Sequence, residues 1–431
     1  MKLTPLRSAM LPRASAPPAL PNGNAHAERS ELRVIVAQIG ARHNYAVARA
    51  LRDEGCLSAL YTDFCLYGWR ARAVAWMLNG RQTYAGALRR RTVTGVPAGR
   101  IRSAPEVSYW PAVRRLKGHA VYQYQDELFG RAMLRWGFGD ANVVYAMFGN
   151  GQAFLEQARE RGLKIAVDVF ITPIAHRIEH AERERFPDWE LPLPADLAYF
   201  EPIEEKVRRV IRVADLLVCP AESVADGLAA YDETNLSKAA LLPYANTASY
   251  GRPSMPESGR VFFAGTASLR KGIHYLAFAA NVLREGGRGY SFAVAGGVAE
   301  RIRRHPMARN LNFLGHLAQE PMRDEFLRAD VFVLPTLAEG SASVIFEALA
   351  AGVPVVTTRS AGSVVTDGVE GFIVPERDID ALAKAVERIV EDRELRARMS
   401  AAAFQKAQEY TLARWGERLV DTLQAHFGTG R

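Results

Sequence analysis

The chain has 431 residues, of which 48% are hydrophobic and 24% charged, and its formal net charge is +8. These values are typical of a globular protein with two to three domains, and they exclude a wholly disordered chain, a collagen-like repeat and a small disulfide scaffold. Because no run of about 18 apolar residues occurs without a charge, we expect no membrane-spanning helix, which leaves attachment to a membrane surface open.

The N-terminal residues and the cysteines indicate a protein that is not exported. Residues 1–30 contain five prolines and no uninterrupted apolar core, which predicts a flexible extension and not a secretory signal. Cys56, Cys65 and Cys219 have no Cys or His partner at metal-ligand spacing. We therefore expect reduced core thiols, a cytoplasmic location and no structural zinc.

Two series of short apolar runs alternate with segments of helical length, the pattern of parallel sheets covered by helices. In residues 31–243 the predicted strands are Leu32–Gln38, Leu57–Thr62, Asn142–Met147, Leu163–Asp168, Asp215–Cys219 and Ala240–Leu242. In residues 260–410 they are Arg260–Ala264, Tyr290–Ala295, Leu311–Leu314, Asp330–Leu334, Val353–Thr357 and Gly371–Val374. We expect two Rossmann-like domains.

The segment between the two series, residues 244–259, is rich in Pro, Gly, Ser and Asn, which predicts a linker. Beyond residue 378 the sequence is helical in pattern, with helices predicted at Asp380–Glu391, Glu394–Tyr410 and Leu412–His426. The last of these, within residues 411–431, is expected to pack back toward the N-terminal domain.

A loop at the start of the second domain combines free backbone amides with two cations. Gly265 and Thr266 follow a predicted strand, and Arg270 and Lys271 precede a helix predicted at Ile273–Glu285. Loops at this place in doubly wound folds attract phosphate. An Arg fork and a mobile Lys could together neutralise a diphosphate and steady it as a leaving group. The alternative is two solvated charges at a loop tip.

Two glutamates lie on either side of the start of a second helix, predicted at Val344–Ala351. Glu339 lies in the loop before it, Ser343 is the predicted N-cap, and Glu347 lies one turn inside. Helix amides take phosphate and carboxylates accept hydrogen bonds from sugar hydroxyls, so the pattern suits a nucleoside-diphosphate sugar. Taken singly, Glu347 fits an ordinary acid in a first helical turn and Glu339 a polar turn residue.

These features resemble one family. Glu339 and Glu347 with seven residues between them, Ala329–Pro335, Glu347–Val356 and Asp367–Phe372 resemble the retaining nucleotide-sugar glycosyltransferases of family 4. The resemblance covers residues 31 to about 425 and is strongest at 260–376. It implies the GT-B fold, an α/β architecture in which two Rossmann-like, doubly wound parallel-sheet domains face a central cleft. It also implies transfer of a sugar from a nucleoside-diphosphate sugar to a glycan or lipid-linked acceptor, in cell-surface polysaccharide or glycolipid synthesis.

The resemblance also implies roles for residues of the second domain. Glu339 matches the acid that contacts the transferred sugar, Glu347 the acid that holds the ribose, and Arg270 and Lys271 the basic pair on the diphosphate. The helix N-terminus beside them corresponds to Gly340, Ser341, Ala342, Ser343 and Val344, and the nucleobase cradle to Gly315, His316 and Leu317. Thr266 is a departure, because many members have Arg after the first glycine, here Gly265; Arg270 would supply that charge.

In the N-terminal domain the resemblance places the loop Gln38–Arg42 near the donor phosphates and the acceptor, where Gly40 would permit close backbone approach. His176 is the candidate for a histidine near the donor sugar or acceptor; the alternative is a residue that caps the following helix. The family is generally viewed as using front-face displacement, with Arg and Lys in place of a divalent metal. We therefore expect neither a metal nor a cofactor.

Residues 70–135 hold 13 Lys and Arg against three acids, interleaved with aromatic side chains. This composition suits anionic lipid headgroups, at about 1 kcal/mol for each basic residue near the surface. The alternative is a solvated, Arg-rich helix face.

Three competing functions are less well supported by the sequence. A nucleotide-sugar 2-epimerase has the same fold, but the long acceptor-side insertion at 69–124 argues against it. A nucleic-acid-binding protein would account for the basic stretch, but no recognised module accompanies it, and no nucleic-acid partner is expected. An inactive scaffold is disfavoured because Glu339, Glu347, Arg270 and Lys271 are all present.

Overall fold

The computed structural model describes residues 32–68, 91–116, 119–192, 197–250 and 254–428. The predicted N-terminal extension, residues 70–90 and 117–118 of the basic stretch, and residues 251–253 of the predicted linker lie outside these ranges.

The first half of the described chain builds a seven-stranded parallel sheet in the order β3-β2-β1-β4-β5-β6-β7. Its strands are β1 Val34–Gln38, β2 Leu57–Thr62, β3 Ile101–Ser103, β4 Val143–Met147, β5 Lys164–Asp168, β6 Leu216–Cys219 and β7 Ala239–Leu241. Its helices are α1 Ala46–Asp53, α2 Glu106–Val113, α3 His119–Trp136, α4 Gln152–Glu160, α5 Ala175–Arg185, α6 Leu197–Val213 and α7 Glu222–Ala229. Every residue of β1 and β4 is buried, as a sheet covered on both faces requires.

The second half builds a six-stranded parallel sheet in the order β10-β9-β8-β11-β12-β13. Its strands are β8 Arg260–Ala264, β9 Ser291–Ala295, β10 Leu311–Gly315, β11 Val331–Leu334, β12 Val355–Thr358 and β13 Gly371–Val374. Its helices are α8 Ile273–Glu285, α9 Glu300–Arg303, α10 Gln319–Arg328, α11 Ser343–Ala350, α12 Ile379–Glu391, α13 Arg393–Glu409 and α14 Leu412–Phe427.

The predicted fold class is therefore confirmed. All twelve predicted strands occur with ends shifted by at most two residues, and α8 has its predicted bounds. The prediction missed β3, a three-residue strand at the edge of the first sheet, because so short a segment carries no measurable alternation.

Two segments cross between the halves. Helix α14 packs against α1, and its Leu419 and Leu423 are fully buried in the core of the first sheet. In the opposite direction, α5 and the turn after it pack on the second sheet, where Trp189 is 1% exposed within that sheet's core. Neither core is therefore built from one half of the chain alone.

Three further observations concern the described residues. Cys56, Cys65 and Cys219 are buried, and none of them forms a disulfide bond. Within the described ranges, no helix is both long enough and apolar enough to cross a bilayer, and no group of three or more His, Cys, Asp or Glu side chains is arranged to hold a metal ion.

Candidate active site

The carboxyl ends of β8, β9 and β10 form a floor of backbone atoms. Gly265 follows β8, Gly296 follows β9, and the Gly296 amide donates to the carbonyl of Gly315 at 2.8 Å. A methyl group on Gly296, whose φ is +131°, would lie 2.1 Å from the Gly265 oxygen. Only glycine permits this close approach of two backbones, which occurs at the edge where a doubly wound sheet binds its ligand.

The two cations of the first loop converge on one carboxylate at this floor. Arg270 Nη1 and Lys271 Nζ each lie 2.7 Å from Glu339 Oε1. All three side chains are largely buried, Lys271 being 15% and Glu339 14% exposed. The sequence placed these residues in two loops 68 positions apart, and the structure brings them into direct contact.

Backbone contacts fix the two loops to each other. The Arg270 carbonyl accepts hydrogen bonds from the Leu337 amide at 2.8 Å and from Thr336 Oγ1 at 3.0 Å. Arg270 Nη1 also donates to the Ala338 carbonyl at 2.5 Å. The guanidinium is therefore held by the loop that carries Glu339.

The start of α11 corrects one prediction. The N-cap is Ala342, with no side-chain hydrogen bond, and Ser343 is the first residue of the helix. The Ala342 amide is occupied because it donates to the Ala361 carbonyl at 3.1 Å. The amides of Ser341, Ser343 and Val344 have no acceptor among the described residues, and the buried Ser341 Oγ has no partner there either. These groups remain available to an anion.

Glu347 lies on the same helix, and its side chain makes no hydrogen bond or ion pair within the described chain. Burial raises the pKa of its carboxyl from 4.5 to about 7. The neighbouring Tyr250 was not singled out from the sequence; burial, and then the charge of Glu347, raise the pKa of its hydroxyl. A half-buried carboxylate without a partner is unfavourable unless a ligand donates to it.

The remaining predicted donor residues lie near the floor. Thr266 is exposed in the loop after β8, and His316 is exposed after β10. A methyl group on Gly297 would lie 3.1 Å from His316 Nε2, so the imidazole lies over the turn after β9. Leu317 is half-buried and packs on the core of the second sheet.

The N-terminal half reaches the site through the loop after β5. The Thr172 amide donates to the Glu339 carbonyl at 3.3 Å. A methyl group on Gly340 would lie 1.9 Å from the Phe170 carbonyl oxygen, so the two backbones meet where only a glycine fits. The two halves thus touch directly beside the paired cations.

His176 has contacts that differ from those of the basic pair. Its Nε2 lies 2.8 Å from Glu204 Oε1, in a cavity of about 450 Å³ that Phe200 also lines. The helix N-cap is Ile174, so the alternative of a capping histidine is wrong. Its role near the donor sugar or acceptor stays a prediction.

Gly40 lies in a loop fixed by a buried carboxylate. Its amide donates to Asp63 Oδ1 at 2.9 Å, and its carbonyl accepts from Gln38 Nε2 at 2.8 Å. A Cβ at Gly40 would meet no atom within 4 Å, so the loop faces open space. His43, Asn44 and Tyr45, which follow, all have φ between +46° and +59°, a strained run that persists only where its surroundings hold it.

Sequence reasoning missed two acids from the N-terminal half. Glu179 Oε1 lies 3.1 Å from Arg270 Nε, and Glu190 Oε1 accepts the Leu269 amide at 2.7 Å. No local signal marks them, because both fall in a charge-rich stretch whose pattern indicates an ordinary solvated helix.

The family comparison concerns the half of the chain that carries this site. Residues 253–406 match the model of glycosyl transferases group 1. The chain carries a glycosyl transferases group 1 domain. That domain contains the glycine floor, Arg270, Lys271, Glu339 and Glu347.

Curated relatives of the glycosyl transferases group 1 domain include enzymes of polysaccharide synthesis. The chain is 30% identical over 187 residues to a glycogen synthase from Mycobacterium tuberculosis, covering 38% of this chain and 45% of the relative. It is 36% identical over 137 residues to the lipopolysaccharide core biosynthesis glycosyltransferase LpsE of Rhizobium meliloti. That match covers 30% of this chain and 39% of the relative. The matched stretch thus spans less than half the length of these relatives.

Solved structures show that the GT-B fold extends over both halves of the chain. Sucrose-phosphate synthase from Thermosynechococcus elongatus aligns with 93% of this chain and 100% of its own, at a TM-score of 0.65 and 15% identity. The structure of Anabaena Alr3699/HepE in complex with UDP and glucose aligns with 91% of this chain and 100% of its own. The TM-score is 0.53 and the sequence identity is 14%. At these identities the likeness establishes the fold alone.

Proposed function

We propose that this protein is a glycosyltransferase that moves a sugar from a nucleoside-diphosphate sugar to a hydroxyl of a glycan or lipid-linked acceptor, with retention of anomeric configuration. The observation that carries the proposal is the convergence of Arg270 and Lys271 on Glu339 beside a glycine floor. A diphosphate can replace Glu339 as the anion between these two cations.

Each group of the site matches a part of the donor. Arg270, Lys271 and the free amides at the start of α11 would bind the diphosphate. Glu347 would accept a hydrogen bond from a ribose hydroxyl, which stabilises its ionised form. Once released from its cations, Glu339 would accept hydrogen bonds from the transferred sugar. The glycine floor would admit the nucleobase against backbone atoms.

Transfer by this site would rest on positioning and electrostatics. Negative charge grows on the diphosphate as its bond to the sugar breaks, and Arg270 and Lys271 stabilise that charge from fixed positions. The leaving diphosphate would itself assist the acceptor hydroxyl on the same face of the sugar, which retains the configuration. The motif resemblance supports this course, and the two cations would supply the charge that a divalent metal supplies elsewhere.

A role in cell-surface polysaccharide or glycolipid synthesis is supported by the likeness to the Rhizobium lipopolysaccharide enzyme.

The proposal includes peripheral binding to the inner face of the cytoplasmic membrane. Among the described basic residues of the 70–135 stretch, Arg91 is paired with Asp63 at 2.7 Å, Arg135 with Glu106 at 3.0 Å and Arg131 with Glu127. Binding would thus depend on the other cations, and equal recovery in the supernatant with neutral and anionic liposomes would contradict it.

A thermal-shift screen against UDP, GDP, ADP and their sugars tests the donor assignment. A nucleotide at 100 times its dissociation constant stabilises the folded protein by about 2.7 kcal/mol. We expect one nucleotide series to raise the melting temperature of the wild type and to do so less for Lys271→Ala. A screen in which no nucleotide shifts the wild type would contradict the proposal. Turnover of the nucleotide sugar to its 2-epimer without acceptor would instead favour the epimerase.

A further inference from the structure

The loop that carries Arg270 is enclosed by a segment from the other half of the chain. Helix α5 and the turn after it, residues 175–192, precede the linker by more than fifty positions. They nevertheless pack on the second sheet, where Trp189 is buried and Glu182 accepts from His274 Nε2 at 3.0 Å. The segment is therefore anchored to the glycosyl transferases group 1 domain at its buried face.

A continuous series of ion pairs and one hydrogen bond connects the segment to two adjacent residues of the loop, Leu269 and Arg270. Arg270 Nε lies 3.1 Å from Glu179 Oε1, and Arg183 Nη1 lies 3.5 Å from Glu179 Oε2. Arg183 Nη2 lies 2.8 Å from Glu190 Oε2, and Glu190 Oε1 accepts the Leu269 amide at 2.7 Å. The segment thus holds adjacent residues of the loop, one by its backbone and one by its side chain.

These contacts determine which atom of Arg270 faces the ligand. Nε forms an ion pair with Glu179 Oε1 at 3.1 Å, and Nη1 donates hydrogen bonds to the Ala338 carbonyl and to Glu339 Oε1. Nη2 makes no hydrogen bond to any residue in the described part of the chain. Because Nε and Nη1 both face carboxylates, Nη2 is the guanidinium nitrogen that is left to meet a diphosphate oxygen.

We propose that Glu179 is a positioning residue for sugar transfer, which orients the Arg270 guanidinium from the N-terminal half of the chain so that it meets the leaving diphosphate. This inference rests on the proposed function, because it presupposes that Arg270 binds a diphosphate. It goes beyond that function by assigning a reaction role to a residue outside the matched domain and outside the donor loops.

The geometry also predicts which kinetic constant depends on Glu179. A guanidinium that loses this partner can still reach a diphosphate, and the loss of a nearby negative charge does not oppose anion binding, so ground-state affinity should change little. Transition-state stabilisation requires an exact position, because a misplacement of about 1 Å can cost about a hundredfold in rate. Glu179→Gln should therefore lower kcat and leave nucleotide affinity nearly unchanged.

The test compares Glu179→Gln with Glu184→Gln in the full-length protein. Glu184 lies on the same helix, is 67% exposed and, within the described chain, forms an ion pair only with His180 at 3.4 Å, so it is a matched control. Glu179→Asp, which keeps the charge on a shorter arm, is the conservative variant. For each protein, kcat is measured with the sugar nucleotide found in the thermal-shift screen, the dissociation constant of its nucleoside diphosphate by calorimetry, and the melting temperature.

For Glu179→Gln we expect kcat to fall about tenfold with the nucleotide dissociation constant within about twofold of wild type. Glu184→Gln should match the wild type, and Glu179→Asp should recover part of kcat. A Glu179→Gln kcat within twofold of wild type would overturn the proposal, as would a loss that tracks the melting temperature or appears equally in Glu184→Gln. A wild type that binds no nucleotide would overturn the proposed function together with this inference, whereas an active wild type with an unaffected variant overturns the inference alone.

Discussion

If Glu347 holds the donor ribose as proposed, its unpartnered carboxyl should make nucleotide binding sensitive to pH. Burial raises its pKa from 4.5 to about 7 in the ligand-free protein. A ribose hydroxyl donates to the ionised form, so binding favours loss of the proton. With a pKa near 7, about a tenth of the carboxyl is ionised at pH 6 and about nine-tenths at pH 8. If only the ionised form holds the ribose, affinity rises about tenfold over this range.

Isothermal titration of the sugar nucleotide at pH 6, 7 and 8 measures this effect in the wild type and in Glu347→Gln. The variant cannot ionise at this position, so the ratio of the two affinities cancels any titration of the nucleotide or of other protein groups. In two buffers of different ionisation enthalpy, wild-type binding at pH 7 should release about half a proton through this group. An affinity ratio that does not change between pH 6 and pH 8 would refute the reasoning.

Three further predictions concern stability and metal dependence. Glu182→Gln should lower the unfolding free energy by about 1–3 kcal/mol at pH 7. Burial by itself raises the pKa of the Glu182 carboxyl. Hydrogen bonds from His274 and Tyr275 and the charge of Arg377 outweigh burial and hold this pKa at about 2. Because the folded pKa lies below 4.5, the difference from wild type in urea unfolding should shrink as pH falls from 4.5 toward 2; a constant difference would contradict the assignment. Gly340→Ala should destabilise the folded protein by about 1–3 kcal/mol, because the added methyl group would lie 1.9 Å from a backbone oxygen. The control Gly289→Ala, whose Cβ would have no atom within 4 Å, should destabilise it far less. Equal melting temperatures of the two variants would contradict the close contact at Gly340. Transfer should persist in EDTA, because two cations already face the diphosphate, and complete loss restored by magnesium would show otherwise.

The strands were predictable because both sheets are buried on two faces. Segments such as Val331–Leu334 are continuous apolar runs bounded by turn residues, and their alternation with helices allows few topologies. The positions of the donor loops followed in turn, since parallel strands place the loops after them along one edge. Strand-edge placement thus indicated where each loop lies, and the family resemblance then assigned Arg270, Lys271 and Glu339 to one donor site.

The contributions of α5 were not predictable, because they depend on the packing of one half of the chain against the other. Trp189 and Glu179 belong by position to the first half, and no periodicity reports that they face the second sheet. The prediction of Ser343 as the N-cap of α11 was wrong for a different reason. Ser343 is a favourable capping residue, but the contact between the Ala342 amide and the Ala361 carbonyl starts the helix one residue earlier than side-chain preference indicates.

The central claim is that Arg270 and Lys271 form a diphosphate site, and calorimetry of nucleoside diphosphates with the wild type and Lys271→Ala tests it most directly. Lys271 lies 2.7 Å from Glu339 and can exchange that carboxylate for a diphosphate oxygen. A charged hydrogen bond of this kind contributes about 1.5–3 kcal/mol, so the variant should bind the nucleotide about ten- to a hundredfold more weakly. Equal affinities in the two proteins, or no binding of UDP, GDP or ADP by the wild type, would contradict the account.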